Sequence, residues 1–402
     1  MQDHQEELKA HIKQQASNYH KETIANRRYL HANPELSFHE HNTMRYVAEK
    51  LEAYGIAFTS GVADTGLVGL IKGEKNGDSK TIALRADMDA LPIKELNEVE
   101  YKSKNEGIMH ACGHDAHTAS LLTCARILQE SKAAFSGDIK LIFQPAEERF
   151  PGGASLMIKE GVLENPSPVS IIGQHVHPPL ETGKVGFRTG PYMAAADELY
   201  FTVKGKGGHA AKPHLVIDPI LMSAQLIQSL QRVVSRFTRP DLPAVLSIGK
   251  VIANGATNII PDEVKLEGTF RSFDSDLRKA AHDEIRKIAA GVAASFGGEI
   301  EADVRIGYPS LYNHEALTSR TRKWAEAFLG QENVVDLELS LGGEDFAYYS
   351  QVRDACFYRL GTGNKSRGIT SDIHTSTFDI DEKALEIGPG LMAWIAVNEL
   401  SY

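Results

Sequence analysis

The spacing of apolar positions changes along the chain and predicts alternating strands and helices. The first 50 residues carry apolar residues at helical spacing, with a break at 31–34. From about residue 65, short apolar runs alternate with helical patterns: strands at 66–73, 81–93, 138–145 and 169–178, and helices at 118–130 and 152–161. This alternation favours an α/β fold with a mainly parallel sheet covered by helices.

A second pattern begins near residue 190. Its predicted order is strand 197–204, helix 216–237, strands 244–252 and 263–271, helix 275–296 and strand 299–308. This βαββαβ order is that of a ferredoxin-like domain. Predicted helices at 315–329 and 383–398, with a strand near 356–361, then return to the first pattern. We therefore expect a domain at 189–308 to be inserted into a discontinuous domain made of 1–188 and 309–402.

Length, charge and cysteine content narrow the classes of protein that fit. A chain of 402 residues is too long for one hydrophobic core, which agrees with two domains. A net charge of −10 argues against a nucleic-acid or anionic-membrane partner. The sequence contains no signal-peptide core and no apolar run of about 18 residues. The three cysteines are too few for a disulfide framework, so we expect a cytoplasmic protein with free thiols.

Metal-ligating residue types gather in four short segments, 110–117, 144–148, 173–178 and 372–375. We expect each of them to lie at the end of a strand or the start of a helix, where ligands collect in open α/β sheets. Cys112 and His114 can direct sulfur and imidazole at one centre, a pair of donors that suits zinc and its neighbours. Alone, this pair would more often be structural, but the further clusters favour a metal site.

The other three segments add carboxylates and imidazoles. The adjacent Glu147 and Glu148 point in different directions, so one can bind a metal while the other acts as a base, as metal-assisted hydrolysis requires. By themselves they would also fit a solvated acidic turn. His175 and His177 share one face of a strand, and only one of them needs to be a ligand. His374 stands far along the chain in a predicted loop.

The segments MHACGHDAHTA, FQPAEE and GQHVHP, in this order and separation, resemble a known family. It is the amidohydrolase branch of the di-metal peptidases that include aminoacylase and carboxypeptidase G. The branch contains hippurate hydrolases, N-acyl-amino-acid amidohydrolases and auxin-conjugate hydrolases. The resemblance runs from 27–37 to 374–379. It implies a di-metal hydrolase domain with an inserted lid or dimerisation domain.

The resemblance assigns roles to matching positions. It places the general base at Glu147 and the metal ligands at Cys112, His114, Glu148, His175 and His374. We expect the Cys112 thiolate to bridge two divalent ions. His114 and His175 would complete one site, and Glu148 and His374 the other.

One family motif differs in this chain. Where the wider family has His-x-Asp, the sequence reads Asp87-Met88-Asp89, so His114 would replace the missing histidine. Asp89 or Asp115 would orient a ligand imidazole from behind. The turn at 149–150 also departs from many relatives, which leaves substrate preference open. The segment 342–346 matches the family and is interpreted either as a helix start or as part of a pocket.

The inserted domain carries the expected substrate-side residues. His209 matches a histidine that enters the partner subunit's active site in related dimers, so the resemblance implies a homodimer or higher homo-oligomer. Asn258 and Arg271 match groups that bind the substrate's amide oxygen and carboxylate, and an arginine fork suits a carboxylate. Without the resemblance, His209 would be a turn residue and Arg271 an edge-strand charge.

These observations predict a hydrolase that cleaves the amide bond of small N-acyl or N-aroyl amino acids. The donor set accepts zinc, manganese, cobalt or nickel, so the two metal ions are not identified by sequence. A dipeptidase or aminopeptidase with the same metals is the alternative. A non-catalytic binding protein of the same fold is a third interpretation, which the presence of the base and all five ligands disfavours.

Overall fold

A computed structural model describes residues 2–77 and 80–402. Its α-helices are α1 (Gln2–Ala32), α2 (His41–Ala53), α3 (His114–Glu130), α4 (Gly153–Lys159), α5 (Pro219–Arg232), α6 (Ser275–Phe296), α7 (Glu315–Leu329), α8 (Ala347–Ser350) and α9 (Ala384–Ser401). Its strands are β1 (Ala57–Val62), β2 (Gly66–Lys72), β3 (Thr81–Asp87), β4 (Asp138–Gln144), β5 (Ser170–Glu181), β6 (Val185–Phe187), β7 (Gly190–Met193), β8 (Ala195–Lys204), β9 (Gly208–His209), β10 (Ala244–Ala253), β11 (Ile259–Ile260), β12 (Glu263–Ser272), β13 (Glu299–Arg305), β14 (Leu311–Asn313), β15 (Val334–Asp336) and β16 (Asp354–Gly363).

The chain divides into two compact units. The first comprises Met1–Gly190, Tyr312–Glu338 and Tyr348–Tyr402, and the second comprises Pro191–Leu311 and Leu339–Ala347. The sequence pattern had placed 339–347 in the discontinuous domain, whereas these residues group with the second unit. Among the described residues, none of the helices is both long and apolar enough to cross a membrane.

The first unit is built on an eight-stranded sheet in the order β1-β2-β4-β3-β5-β16-β6-β15. Its central strands β4, β3, β5 and β16 are parallel, while β1 and β2 form an antiparallel edge. The predicted α/β class with a mainly parallel sheet is confirmed. All residues of β3 are buried, as expected for a strand covered on both faces. Helices α1, α3 and α9 pack together over this sheet.

The register of the central strands brings the predicted site segments to one edge. Asp87 at the end of β3 pairs with Gln144 at the end of β4, and β3 runs parallel to β5. On the other side of β5, Arg359 of β16 pairs with His175. The segments that follow β3 and β4 therefore emerge beside the second half of β5.

The second unit contains a four-stranded antiparallel sheet in the order β10-β12-β8-β13. Helices α5 and α6 pack on this sheet around a separate apolar core. Burial alternates along β8, so one face of the strand packs inward and the other faces away. The helix predicted at 216–237 is α-helical only over Pro219–Arg232. Asp218 caps it by accepting hydrogen bonds from the N–H groups of Ile220 and Leu221.

Candidate metal centre

Gly113 shapes the turn that precedes α3. Its φ is +84°, a conformation that favours glycine, and a Cβ atom there would lie 2.5 Å from a methyl of Val176. Glycine is thus required both by the backbone and by the packing. The turn brings Cys112 Sγ to 3.5 Å from His175 Nε2 and starts α3 at His114.

Of the groups of candidate ligand atoms among the described residues, two share the sulfur of Cys112. Cys112, His114 and His175 offer atoms that all lie within 4.8 Å of one another, and so do Cys112, Glu148 and His374. His374 Nε2 lies 3.2 Å from Glu148 Oε1. Membership of Cys112 in both groups is the geometry that a bridging thiolate needs. His177 belongs to neither group.

Hydrogen bonds behind the imidazoles fix which ring nitrogen faces inward. His175 Nδ1 donates to the carbonyl oxygen of Val176 at 2.7 Å, which leaves the Nε2 lone pair directed towards Cys112. His114 Nδ1 contacts Asp89 Oδ1 at 3.1 Å, which leaves its Nε2 facing the carboxylates. Such partners set the tautomer and orientation that a metal-ligating histidine requires.

Asp89 also holds the two adjacent glutamates. Its carboxylate accepts the backbone N–H groups of Glu147 and Glu148, each at 3.0 Å, and the hydroxyl of Ser37 at 2.6 Å. Burial raises the pKa of Asp89, but the contact with His114 and these donors lower it overall. The ionised carboxylate therefore positions a candidate ligand and the turn that carries the candidate base.

The charges around His114 fit a divalent cation. Its buried Nε2 has no hydrogen-bond partner among the described residues, yet it lies 3.7 Å from Asp87 Oδ2 and 4.0 Å from both Glu147 Oε2 and Glu148 Oε1. Burial lowers the pKa of His114, but Asp87 and Asp89 outweigh it and raise the pKa to about 10. Positive charge is thus strongly favoured at this point, and a metal ion supplies it.

The thiol of Cys112 leads to the same conclusion. Burial, followed by the charges of Glu148 and Glu147, raises its pKa well above the usual value. A cysteine binds metal as thiolate, and a coordinated cation reverses the electrostatic cost of that form. The sulfur, imidazole and carboxylate donors together fit two borderline divalent ions such as zinc or manganese.

Comparison with known proteins identifies the family. Residues 83–397 match Peptidase family M20/M25/M40. The chain belongs to this family. The chain is 42% identical over 307 residues to the N-acyl-L-amino acid amidohydrolase of Geobacillus stearothermophilus, covering 76% of this chain and 82% of that protein. It is 40% identical over 375 residues to thermostable carboxypeptidase 2 of Saccharolobus solfataricus, covering 92% and 94%.

A solved structure extends the M20 similarity to the fold. The crystal structure of the Bacillus subtilis protein YxeP, described as a dinuclear metal-binding peptidase of the M20 family, superposes with a TM-score of 0.82 at 36% identity and covers 96% of this chain and 99% of that one. The predicted family and the two-metal cofactor are confirmed. This M20 protein is a metal-dependent hydrolase of amide or peptide bonds with small-molecule substrates.

Two residues of the M20 site, Asp87 and His117, make contacts that the sequence analysis does not predict. Asp87 Oδ1 contacts His117 Nδ1 at 2.6 Å, and His117 Nε2 accepts the N–H of Val176 at 2.8 Å. Because Nε2 accepts, Nδ1 must donate, and His117 ties α3 to β3 and β5. The spacing of His114 and His117 was a usable signal, since positions i and i+3 share one helix face.

The hydrogen bonds of Asp115 to described residues go to α1 rather than to a candidate ligand imidazole. Its Oδ2 instead contacts Arg27 Nε at 2.8 Å and His31 Nδ1 at 2.7 Å. The reason is its place in the first turn of α3, where its side chain meets α1 while the ring of His114 meets Asp89.

His209 and Asn258 are neighbours within the second compact unit of this M20 protein. Strand β9 pairs with β11, and the N–H of Ala210 donates to the carbonyl oxygen of Asn258 at 3.1 Å. The N–H of Ala211 donates to His209 Nδ1 at 3.1 Å, so the neutral ring carries its proton on Nε2. The exposed His209 therefore presents a hydrogen-bond donor to its surroundings.

Arg271 lies on β12, in the same unit, as a half-buried cation. Its Nε donates to Thr269 Oγ1 at 3.1 Å, and burial lowers the pKa of its guanidinium. A Cβ atom on Gly343 would lie 3.2 Å from its Nη1, so the segment 339–347 packs directly on this side chain. Among the described residues, no acidic side chain forms an ion pair with Arg271, which leaves the fork available for a carboxylate.

Proposed function

We propose that this M20 enzyme hydrolyses the amide bond of N-acyl amino acids and that Glu147 is its general base. The arrangement of the adjacent glutamates carries the proposal. Glu148 shares a group of ligand atoms with Cys112 and His374, whereas Glu147 has no such group with Cys112 and instead groups with His114 and Glu148. Glu147 lies beside these donors, with its Oε2 at 4.0 Å from His114 Nε2. This position suits a base that acts next to the ions rather than on them.

The residues divide the reaction between them. When bound, the two ions act as Lewis acids on the scissile carbonyl and on the attacking water. Glu147 accepts the proton of that water and delivers it to the departing amine. His209 donates from Nε2 to the oxygen that gains negative charge, as donors do in an oxyanion hole. Asn258 binds the amide oxygen of the substrate.

Arg271 defines the amino-acid end of the substrate. A half-buried guanidinium that forms no ion pair with a described acidic side chain suits the free carboxylate of an amino acid, which it can bind with two parallel hydrogen bonds. The N-acyl-L-amino acid amidohydrolase among the relatives supports an acylated amine at the other end. The carboxypeptidase among them supports a second candidate, hydrolysis of a peptide next to its terminal carboxylate.

We also propose a cytoplasmic homodimer formed through the second unit, which serves as the inserted lid or dimerisation domain. Strand β10 is an edge strand of the four-stranded sheet, and Val251 and Ile252 on it are exposed. An exposed apolar edge is a surface that a second copy can cover by pairing strands across a twofold axis.

Variants of the two glutamates test the proposed roles. Glu147→Gln removes the proton acceptor and keeps the side chain's shape, so we expect kcat to fall by roughly 10²–10⁴-fold while two ions remain bound. Glu148→Gln serves as the matched variant and should lower metal content instead. Both are assayed after reloading with Mn²⁺ or Zn²⁺, with metal measured by elemental analysis. If Glu147→Gln loses metal and Glu148→Gln keeps it, the two roles are exchanged.

A substrate panel separates the two candidate functions. N-acetyl and N-benzoyl amino acids are compared with unblocked dipeptides of the same carboxyl-terminal residue. An amidohydrolase should give the higher kcat/KM with the acylated amine. A higher value for the dipeptides would assign the enzyme to the peptidases of the family.

A further inference from the structure

Arg27 is a fully buried arginine on α1 whose guanidinium donates to two carboxylates and lies 3.6 Å from a third, that of Glu382. Its Nε donates to Asp115 Oδ2 and its Nη2 donates to Asp379 Oδ1, both at 2.8 Å. The guanidinium also stacks over the ring of Tyr101, with its carbon 4.8 Å from the ring centre. None of the reaction steps proposed above uses this residue.

The two carboxylates belong to the two segments that supply metal ligands. Asp115 directly follows His114 and lies three residues after Cys112, in the first turn of α3. Asp379 lies five residues after His374. These segments are about 260 residues apart in sequence, and Arg27 links them through one rigid planar group.

The segment that carries His374 is held at two points, one at His374 itself and one at Asp379. His374 has a left-handed φ of +60°, and its side chain is half-exposed. Its backbone N–H donates to the carbonyl oxygen of Ala111 at 2.7 Å, which joins it to the metal-binding turn. Further along, Tyr101 donates to Asp379 Oδ2 at 2.8 Å, so the carboxylate of Asp379 is held on both oxygens.

We propose that Arg27 is a positioning residue for the second metal ion, the one assigned to Glu148 and His374. By fixing Asp379 relative to Asp115, it sets the distance between His374 and the shared sulfur of Cys112. The first ion depends on His114 and His175, which are oriented by Asp89 and by the backbone of Val176. Loss of the link therefore weakens one ion selectively. This inference rests on the ligand assignment made above.

The neighbouring Arg28 provides a matched control on the same helix. It makes a bidentate pair with Glu382, at 2.7 Å for each nitrogen–oxygen contact, and its side chain is 40% exposed. Replacement of either arginine by lysine keeps the charge and removes the planar fork. Both arginines approach Glu382, but of the two it is Arg27 that also contacts Asp115 in the Cys112 segment, so Arg27→Lys rather than Arg28→Lys should change metal binding.

The experiment is a titration of apo-protein with Mn²⁺, monitored by calorimetry, with the bound metal measured by elemental analysis. It compares wild type, Arg27→Lys, Arg28→Lys and His374→Ala. For Arg27→Lys we expect the weaker ion to bind roughly 10–100-fold less tightly, the range found when a partner behind a metal ligand is lost. The affinity of Arg27→Lys for the tighter ion should be unchanged, and Arg28→Lys should bind both ions as wild type does. Excess Mn²⁺ should restore kcat of Arg27→Lys with KM for substrate unaltered.

His374→Ala tests the assignment of the metal ligands separately from the positioning role of Arg27. If it loses one ion and excess Mn²⁺ does not restore it, the ligand assignment stands independently of Arg27. Arg27→Lys that binds both ions as wild type does, or loses both together with its melting temperature, overturns the positioning role. Should Arg27→Lys fail to fold, Asp379→Asn breaks only the branch towards His374 and must show the same selective weakening.

Discussion

A single buried carboxylate can fix several groups of an active site, and Asp89 does so here. It contacts the ring of His114, the hydroxyl of Ser37 and the backbone N–H groups of Glu147 and Glu148. All four donors approach its two oxygens, which leaves Asp89 little capacity to bind a metal itself. We therefore propose that Asp89 sets the directions of these groups rather than binding an ion.

Gly113 allows the contribution of packing at the site to be measured. Gly113→Ala meets both a left-handed backbone, with φ of +84°, and a methyl of Val176 at 2.5 Å. Gly107 is the matched control, because its φ is +82° and nothing lies within 4 Å of the added carbon. We expect Gly107→Ala to cost about 1 kcal/mol, the lower end for strained backbone, with metal affinity unchanged.

For Gly113→Ala we expect a larger loss of unfolding free energy and weaker Mn²⁺ binding, because Cys112 and His114 flank the displaced backbone. Chemical denaturation gives the first quantity and titration of apo-protein the second. Equal losses for the two variants, with equal metal affinity, would mean that the contact with Val176 is relieved without moving the ligands.

At the scale of elements, Asp197 joins strand β8 to helix α6. Its carboxylate accepts hydrogen bonds from Arg278 and from the N–H of Gly307, and it lies 2.6 Å from His282 Nε2. Burial raises the pKa of Asp197, but Arg278 and His282 lower it to about 2. The stabilisation is therefore complete above the unfolded pKa of about 3.9 and is lost as pH falls towards 2.

Asp197→Asn should destabilise the protein by about 2.5 kcal/mol at pH 7, because the folded pKa lies almost two pH units below the unfolded one and each unit corresponds to about 1.4 kcal/mol. Urea denaturation measures this difference. It should shrink below pH 4, because Asp197 of the unfolded chain is then protonated while the folded carboxylate, with its pKa of about 2, still resists protonation. Asp303→Asn, which removes an exposed pair with Arg305 on β13, is the control and should change stability by less than about 0.5 kcal/mol. A difference for Asp197→Asn that is independent of pH would contradict the assignment.

The local sequence pattern predicts the positions of helices and strands better than it predicts which elements lie next to one another in the fold. The helix expected at 118–130 begins at His114, because the polar residues of the metal-binding turn already occupy its first turn. The strand expected near 356–361 is β16, and its place between β5 and β6 follows from no local signal. The grouping of 339–347 with the second unit was equally invisible, since it depends on contacts such as Gly343 with Arg271.

The candidate site shows the same limit. Residue types and spacing, together with the family resemblance, were enough to propose ligands that the structure brings together around Cys112. They did not reveal the contacts of His117 with Asp87, or of Arg27 with Asp115 and Asp379. These depend on which helix faces which loop, and that is decided by tertiary packing.

At the scale of the whole molecule, the proposed homodimer predicts complementation between inactive chains. Glu147→Gln and His209→Ala proteins are unfolded together and refolded. If His209 acts across the interface, a mixed dimer contains one site with both residues intact, and partial activity should return. Glu147→Gln mixed with Glu148→Gln is the control. This mixed dimer should stay inactive, because each substitution disables the metal site of the chain that carries it. No recovery, with mixed dimers verified by mass, would place His209 in its own chain's site.

The position of β16 has a consequence for biosynthesis. Strand β5 ends at Glu181, but its parallel neighbour β16 begins only at Asp354. While the ribosome makes the intervening residues, β5 has one side without its final hydrogen-bonding partner. The second unit can fold in that interval, since its sheet lies within one continuous stretch. The sheet of the first unit is completed only after β16 has been made, so its apolar strands stay open to aggregation for longer than those of the second unit.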